Sequence, residues 1–158
     1  MDNDTLSLPL PSAHTEAMGT SEAFLSFQEQ LSRVAAVDRP VLIIGERGTG
    51  KELAAVRLHY LSRRWRKPLV TVNCASLSET LLESELFGHE AGAFTGAAAR
   101  RAGRFEQADG GTLFLDEIAA MPRRMQESIL RTVEYGSLQR VGGSRPVQTD
   151  VRIVGATN

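Results

Sequence analysis

VLIIGERGTGKE, residues 41–52, decides the fold. Val41, Leu42, Ile43 and Ile44 follow Pro40 as a short apolar run, the composition of a parallel strand covered on both faces. Gly45, Gly48 and Gly50 then break the pattern, and a helix is expected from Lys51 to about Arg63. Strand, glycine-rich turn and helix in that order form the context a phosphate-binding loop requires. In Gly45, Glu46, Arg47, Gly48, Thr49 and Gly50 the backbone can make a tight concave turn whose N–H groups, with the helix N-terminus, cradle polyphosphate. Lys51 adds a positive charge for the β and γ phosphates of ATP. Glu52 stands where the general motif has Ser or Thr on Mg²⁺. An acid cannot copy a neutral hydroxyl, so either it points away and water fills the metal position, or it contributes indirectly.

A second stretch, GGTLFLDE at 110–117, supplies the other half of such a site. Its apolar strand delivers two adjacent acids at its C-terminal end, the edge where open α/β sheets bind ligands. Asp116 suits Mg²⁺, the one metal-binding role assigned from sequence, and Glu117 suits orienting the water that attacks the γ-phosphate. Adjacent acids after a strand are also a common way to start a helix, and the phosphate loop upstream favours the catalytic alternative. Asn73 and Asn158 end two further strands and can lie along the same edge, with Thr157 beside the latter. Taken singly, each asparagine is a strand-end cap.

The rest of the chain agrees with an α/β plan. Residues 1–20 are polar, with Pro9 and Pro11, and a flexible leader is expected over 1–18. Phe24, Phe27, Leu31 and Val34 recur at helical spacing after Ser21 as a cap. Strands are expected at 69–72, 112–115 and 151–156, and helices at 78–86, begun by Ser78, and 122–134, begun by Pro122. Alternating strands and helices imply a doubly wound parallel sheet with right-handed crossovers. With 158 residues, 42% of them hydrophobic, the chain suits a single domain. A formal charge of −1 gives no global case for nucleic-acid or membrane binding. One cysteine, Cys74, excludes an internal disulfide and fits a reducing, cytoplasmic setting. No apolar run reaches the roughly 18 residues a membrane span needs.

One segment fits neither period. GHEAGAFTGAAA, residues 88–99, carries three glycines and places Phe94 and Thr95 between Gly92 and Gly96. An apolar pair on glycine stems is poor core design and good design for a contact that is raised and withdrawn. With ELFGHEAGAFTGA at 85–97, GERGTGKE at 45–52, VNCA at 72–75, GTLFLDE at 111–117, LQRVGG at 138–143 and VRIVGATN at 151–158, the chain resembles the AAA+ ATPase domain of bacterial sigma-54-dependent enhancer-binding activators. The resemblance covers nearly everything after residue 18. LHYLS at 58–62 together with Trp65 makes the branch that activates the phage shock operon the best match within it.

That resemblance implies roles for matching positions. Lys51 would bind phosphate, Asp116 and Glu117 would handle Mg²⁺ and water, and Asn73 would restrain Glu117 as a switch. Thr157 and Asn158 match the first sensor, and Arg140, beside a second loop, would report nucleotide state across a subunit boundary. Gly92, Ala93, Phe94, Thr95, Gly96 and Ala97 would contact sigma-54 within the RNA polymerase holoenzyme, in a ring that is usually a hexamer. The family pattern also carries glutamate after the lysine, which makes Glu52 less anomalous. Trp65, in the basic turn 63–67, is either tucked onto its helix or a docking knob for the negative regulator of the phage shock system. The family domain continues beyond position 158 through a fifth strand, arginine fingers, a helical lid and a helix-turn-helix for DNA. The 158-residue chain alone is therefore expected to leave residues 41–44 as an open sheet edge, to turn over ATP poorly and to assemble poorly. The alternatives are a nucleotide-binding regulatory fragment without turnover and a generic P-loop hydrolase or kinase. His89-Glu90 is no zinc motif, since position 93 is alanine.

Overall fold

The computed structural model describes residues 17–158; most of the expected leader, residues 1–16, lies outside them. The elements run α1 (Glu22–Ala35), β1 (Val41–Ile44), α2 (Lys51–Tyr60), β2 (Leu69–Asn73), α3 (Glu79–Phe87), α4 (Arg104–Gln107), β3 (Thr112–Asp116), α5 (Arg123–Tyr135), β4 (Ser137–Gln139), β5 (Pro146–Gln148) and β6 (Arg152–Thr157). Four strands form one parallel sheet in the order β1-β6-β3-β2. The doubly wound α/β architecture expected from the sequence is therefore present.

Alternation along the strands sorts the core into two layers. Leu113, Leu115 and Ile153 face α3, α4 and α5, where they meet Leu82, Leu86, Phe105, Met125 and Ile129. Phe114, Val154 and Ala156 face the other way, onto Leu31 and Ala35 of α1 and Ala54, Ala55 and Leu58 of α2. Burying side chains of this size stabilises by about 1.5–3 kcal/mol each. The central strands β3 and β6 carry most of that burial, which holds their C-terminal ends rigidly side by side.

Three expectations need correction. β1 is not covered on both faces: Ile43 is buried, but Leu42 and Ile44 are 55% and 73% exposed, because β1 is an edge strand with helices on one side only. The buried stripe of α1 runs through Phe24, Gln28, Leu31 and Ala35, while Phe27 and Val34 sit on its flank. The small Ala35 lets the end of α1 approach the sheet. α2 stops at Tyr60, short of Arg63, where Leu61 takes the C-cap. Ser21 does cap α1 by accepting the Phe24 N–H at 3.2 Å. Ser78 occupies the N-cap of α3 without a side-chain bond. The antiparallel β4–β5 hairpin had no counterpart in the sequence expectations; its three-residue strands, with Leu138 opposite Val147, are too short to show a period.

A buried cation ties α1 to the sheet. Arg152, at the start of β6, is 3% exposed and donates to the carbonyls of Val34, Ala35 and Arg39 at 3.0–3.2 Å. Burial lowers its guanidinium from the usual range, and the negative end of α1 offsets that cost. Arg152→Met should lower unfolding free energy by about 2–4 kcal/mol, since charged hydrogen bonds are lost and carbonyls are left buried. Urea denaturation followed by circular dichroism checks this: the midpoint should fall with an unchanged slope.

Candidate functional site: a phosphate loop, an acid pair and a rooted surface loop

The register of the sheet assembles the site. Ile44 pairs with Thr157, Leu115 with Gly155 and Asn73 with Asp116, so β1, β6, β3 and β2 all end at one edge. The Gly45 N–H extends the β1–β6 pairing by donating to Thr157 O at 3.1 Å. From there the chain turns through Gly48 and Gly50, both left-handed at φ 80° and 86°. No packing forbids a side chain at Gly48; the conformation does, since L-residues pay about 1–2 kcal/mol there. Thr49 Oγ1 donates to Glu46 O at 2.7 Å, and Lys51 Nζ reaches back to the carbonyls of Gly45 and Glu46 at 2.7 and 2.8 Å. The ammonium thus sits across the concavity of the loop, and Glu46, Arg47, Gly48, Thr49 and Gly50 are exposed. Glu52 is exposed on the first turn of α2, where an acid complements the helix dipole.

At the end of β3, Asp116 Oδ1 accepts the Glu117 N–H at 2.9 Å. Glu117 has φ 51° and ψ 47°, and among the described residues it is the one non-glycine at positive φ. Such strain marks functional positions more often than structural ones. Both acids are half-buried. Their charges, after burial itself, push the neighbouring Cys74 thiol up to about 12, so it stays protonated.

Asn73 lies beside Asp116 in register, but its Oδ1 accepts the Ala75 N–H at 2.9 Å, the strand-end cap that was the simpler alternative. No hydrogen bond joins it to Glu117 among the described residues. Thr157 is half-buried and Asn158 exposed at the same edge. The residues fit a bound nucleotide: open left-handed glycines, an exposed loop backbone and a lysine held by carbonyls that phosphate oxygens can replace. Among the described residues no three His, Cys, Asp or Glu are grouped to hold a metal by themselves. Mg²⁺ on phosphates needs only one or two carboxylates, so Asp116 meets its demand.

Arg140 lies in a different place from that edge. Its guanidinium donates to Glu106 at 2.6 and 2.8 Å and to Glu90 at 3.0 Å. Burial alone would raise the Glu106 carboxyl; Arg140 and the Gly103 N–H overcome this and hold it below the usual carboxylate range. Glu90 N donates to Val141 O, and Val141 N to Gly88 O, at 3.0 and 2.9 Å. A Cβ on Gly142 would sit 2.8 Å from that of Ala93. The 88–99 loop is therefore clamped at its root to the segment that follows β4. Its tip is folded on itself, with the Gly92 N–H donating to Ala97 O at 2.7 Å and the Ala97 N–H to Phe94 O at 3.0 Å. Phe94 is half-buried, Thr95 exposed and Ala97 buried. Glu90 and Glu106 were absent from the residues chosen by sequence, because 50 and 34 positions separate them from Arg140 and no local spacing joins them.

Beside the loop, Arg101 and Arg104 share Glu85 at 2.9 Å each. Arg64 is no solvated charge: it pairs with Asp38 and Asp150 and also holds the Gly111 carbonyl. Trp65 stands 49% exposed, with the Arg66 guanidinium 4.4 Å over its ring.

A family model described as the sigma-54 interaction domain matches residues 17–158. The Psp operon transcriptional activator of Escherichia coli K12 is 64% identical over 141 residues, covering 89% of this chain and 43% of that protein. The anaerobic nitric oxide reductase transcription regulator NorR of Enterobacter sp. is 52% identical over 146 residues, covering 92% of this chain and 29% of that one. The crystal structure of NtrX from Brucella abortus in complex with ATP superposes with a TM-score of 0.82 at 41% identity, over 90% of this chain and 30% of that one. The chain thus spans less than half the length of these relatives.

The Arg140 clamp makes a pH-dependent contribution. Because the folded Glu106 value is depressed, the stability it supplies is complete above the ordinary glutamate value and is lost as pH falls through the depressed one. Arg140→Ala should cost about 1–2 kcal/mol near neutrality. In urea titrations the gap from wild type should stay constant above about pH 5 and close on further acidification.

Proposed function

Since the chain belongs to the sigma-54 interaction domain family, we propose that it is the nucleotide-handling core of a transcription activator that turns ATP hydrolysis into movement of the 92–97 tip against sigma-54 RNA polymerase holoenzyme. One observation carries this: a surface loop with an apolar and hydroxyl tip is rooted by Arg140, Glu90 and Glu106 on the same layer of helices that backs the acid pair. A generic P-loop hydrolase has no need of such a loop, and the family match sets that alternative aside.

In this mechanism Gly45 to Gly50 would wrap the phosphates of the ATP substrate, Lys51 would exchange its carbonyl partners for phosphate oxygens, and Asp116 would hold Mg²⁺. Bound Mg²⁺ATP supplies the phosphoanhydride and the charge neutralisation that its cleavage needs. Glu117, held in a left-handed backbone conformation directly after the strand, orients and polarises the attacking water. Asn73 acts as a restraint by exchanging Ala75 for Glu117 as its partner, and Thr157 and Asn158 sense the γ-phosphate from the neighbouring strand. Arg140 carries the change to the loop. In the complete protein, subunits assemble as a ring, commonly a hexamer, and a separate domain reads DNA. Trp65, stiffened by Arg66, offers an exposed aromatic anchor of the kind that dominates interfaces, here for the negative regulator of a phage-shock-type system.

Two substitutions in the native, assembled protein separate the parts of this mechanism. Glu117→Gln keeps size and most hydrogen bonding, so nucleotide affinity should hold while turnover falls about 10²- to 10³-fold. Steady-state phosphate release checks it, and normal turnover would move the role elsewhere. Thr95→Ala, outside the phosphate site, should leave nucleotide binding and turnover near wild type but abolish capture of sigma-54 with a hydrolysis transition-state analogue bound. Normal capture would contradict the assignment of the tip.

A further inference from the structure

His89 sits at the junction of three segments. Its N–H donates to Arg101 O at 3.0 Å and its carbonyl accepts the Arg101 N–H at 2.9 Å, which closes the stem of the loop. The flanking Gly88 and Glu90 bond to Val141. The side chain is 8% exposed, far less than a histidine on a loop stem needs to be. Its Nδ1 lies 2.7 Å from the buried Ser84 hydroxyl of α3, and the Phe94 ring meets it edge-on with centroids 5.0 Å apart. The hydroxyl fixes the plane of the imidazole, and the imidazole presents the surface on which Phe94 rests. Edge-to-face pairs of this geometry are attractive beyond the area they bury.

We propose that His89 is the positioning residue that seats Phe94, with Ser84 holding the seat in orientation, so that the loop tip is stowed with its aromatic ring half-covered and Thr95 presented. The other attachments of the tip are made by small side chains: Ala97 is buried and Ala93 lies against Gly142. Gly92 and Gly96 are left-handed and have no side chains, Thr95 faces solvent, and the Gly92–Ala97 bonds close the tip on itself without attaching it to the body of the domain. Phe94 is thus the tip's aromatic attachment and His89 its receptor. Any movement of α3 is passed through Ser84 to the imidazole and so to Phe94, a shorter route than through the backbone of the stem. The functional consequence, exposure of an apolar contact for sigma-54 on release, rests on the reading of the tip given above; the seat itself does not.

The test replaces Phe94 by 4-fluorophenylalanine in the intact chain and reads the fluorine NMR signal in wild type, His89→Ala and Ser84→Ala. Phe105, fully buried and stacked on Phe87, carries the same label in a parallel sample as a check on the fold. His89→Ala should move the position-94 signal toward that of the free amino acid and make it sensitive to exchange of H₂O for D₂O, with the position-105 signal unchanged. Ser84→Ala should move it in the same direction by less. An unchanged position-94 signal in His89→Ala would overturn the proposal. If both labels move in that variant, the fold has been lost and Ser84→Ala decides: displacement at 94 alone supports the seat, and no displacement overturns it. A released ring together with wild-type capture of sigma-54 would still support the seat, and would count against the partner assigned to the tip.

Discussion

Everything in this domain depends on β6 being hydrogen-bonded between β1 and β3. Backbone pairing to β1 places the phosphate loop, and pairing to β3 places Asp116 and Glu117, one strand away on the other side. Parallel strands share a direction, so the two halves of the site arrive at one edge without any contact between their side chains being required. The strand is secured by Val154 and Ala156 on one face and Ile153 on the other, and at its start by the buried Arg152. A shift of register by one residue would reverse every one of these faces.

The same layer of helices that covers β3 carries the loop. α3 packs through Leu82 and Leu86 onto the sheet and ends at Phe87, directly before the glycine that opens the loop. Small displacements of a packed helix are transmitted with little loss, because a close-packed interior does not deform continuously. The Arg140 pairs then couple the loop root to the β4–β5 hairpin, so two segments far apart in sequence move as one. Such pairs stabilise less through their charge than through the geometry they impose.

Much of this was legible in the sequence, and the parts that were not have a common cause. The strand–turn–helix at 41–60 and the two acids at the end of β3 were placed from sequence because each pattern lies within a few consecutive residues and needs a strand before it. All four sheet strands were found because continuous apolar runs such as Leu113 to Leu115 have few other uses. The face of α1 was misjudged because Phe27 and Val34 outweigh Ala35 in hydrophobicity, whereas close approach to Arg152 favours the smaller residue. The exposure of Leu42 and Ile44 follows from the position of β1 at an edge, which was expected from the family resemblance and not from the apolar run itself. Partners of Arg140, Arg64 and His89 were invisible because they are set by which elements meet, not by spacing along the chain.

The central claim is that the state of the phosphate loop governs the order of the 92–97 tip. Hydrogen–deuterium exchange on the native assembled protein, with and without a non-hydrolysable ATP analogue, measures both ends at once. Protection of amides in 45–52 should rise on binding, and the exchange of the Gly92 and Ala97 amides, which close the tip, should change in the same titration with the same midpoint. Protection confined to 45–52 and the strand ends, with the tip unaltered at saturating nucleotide, would contradict it.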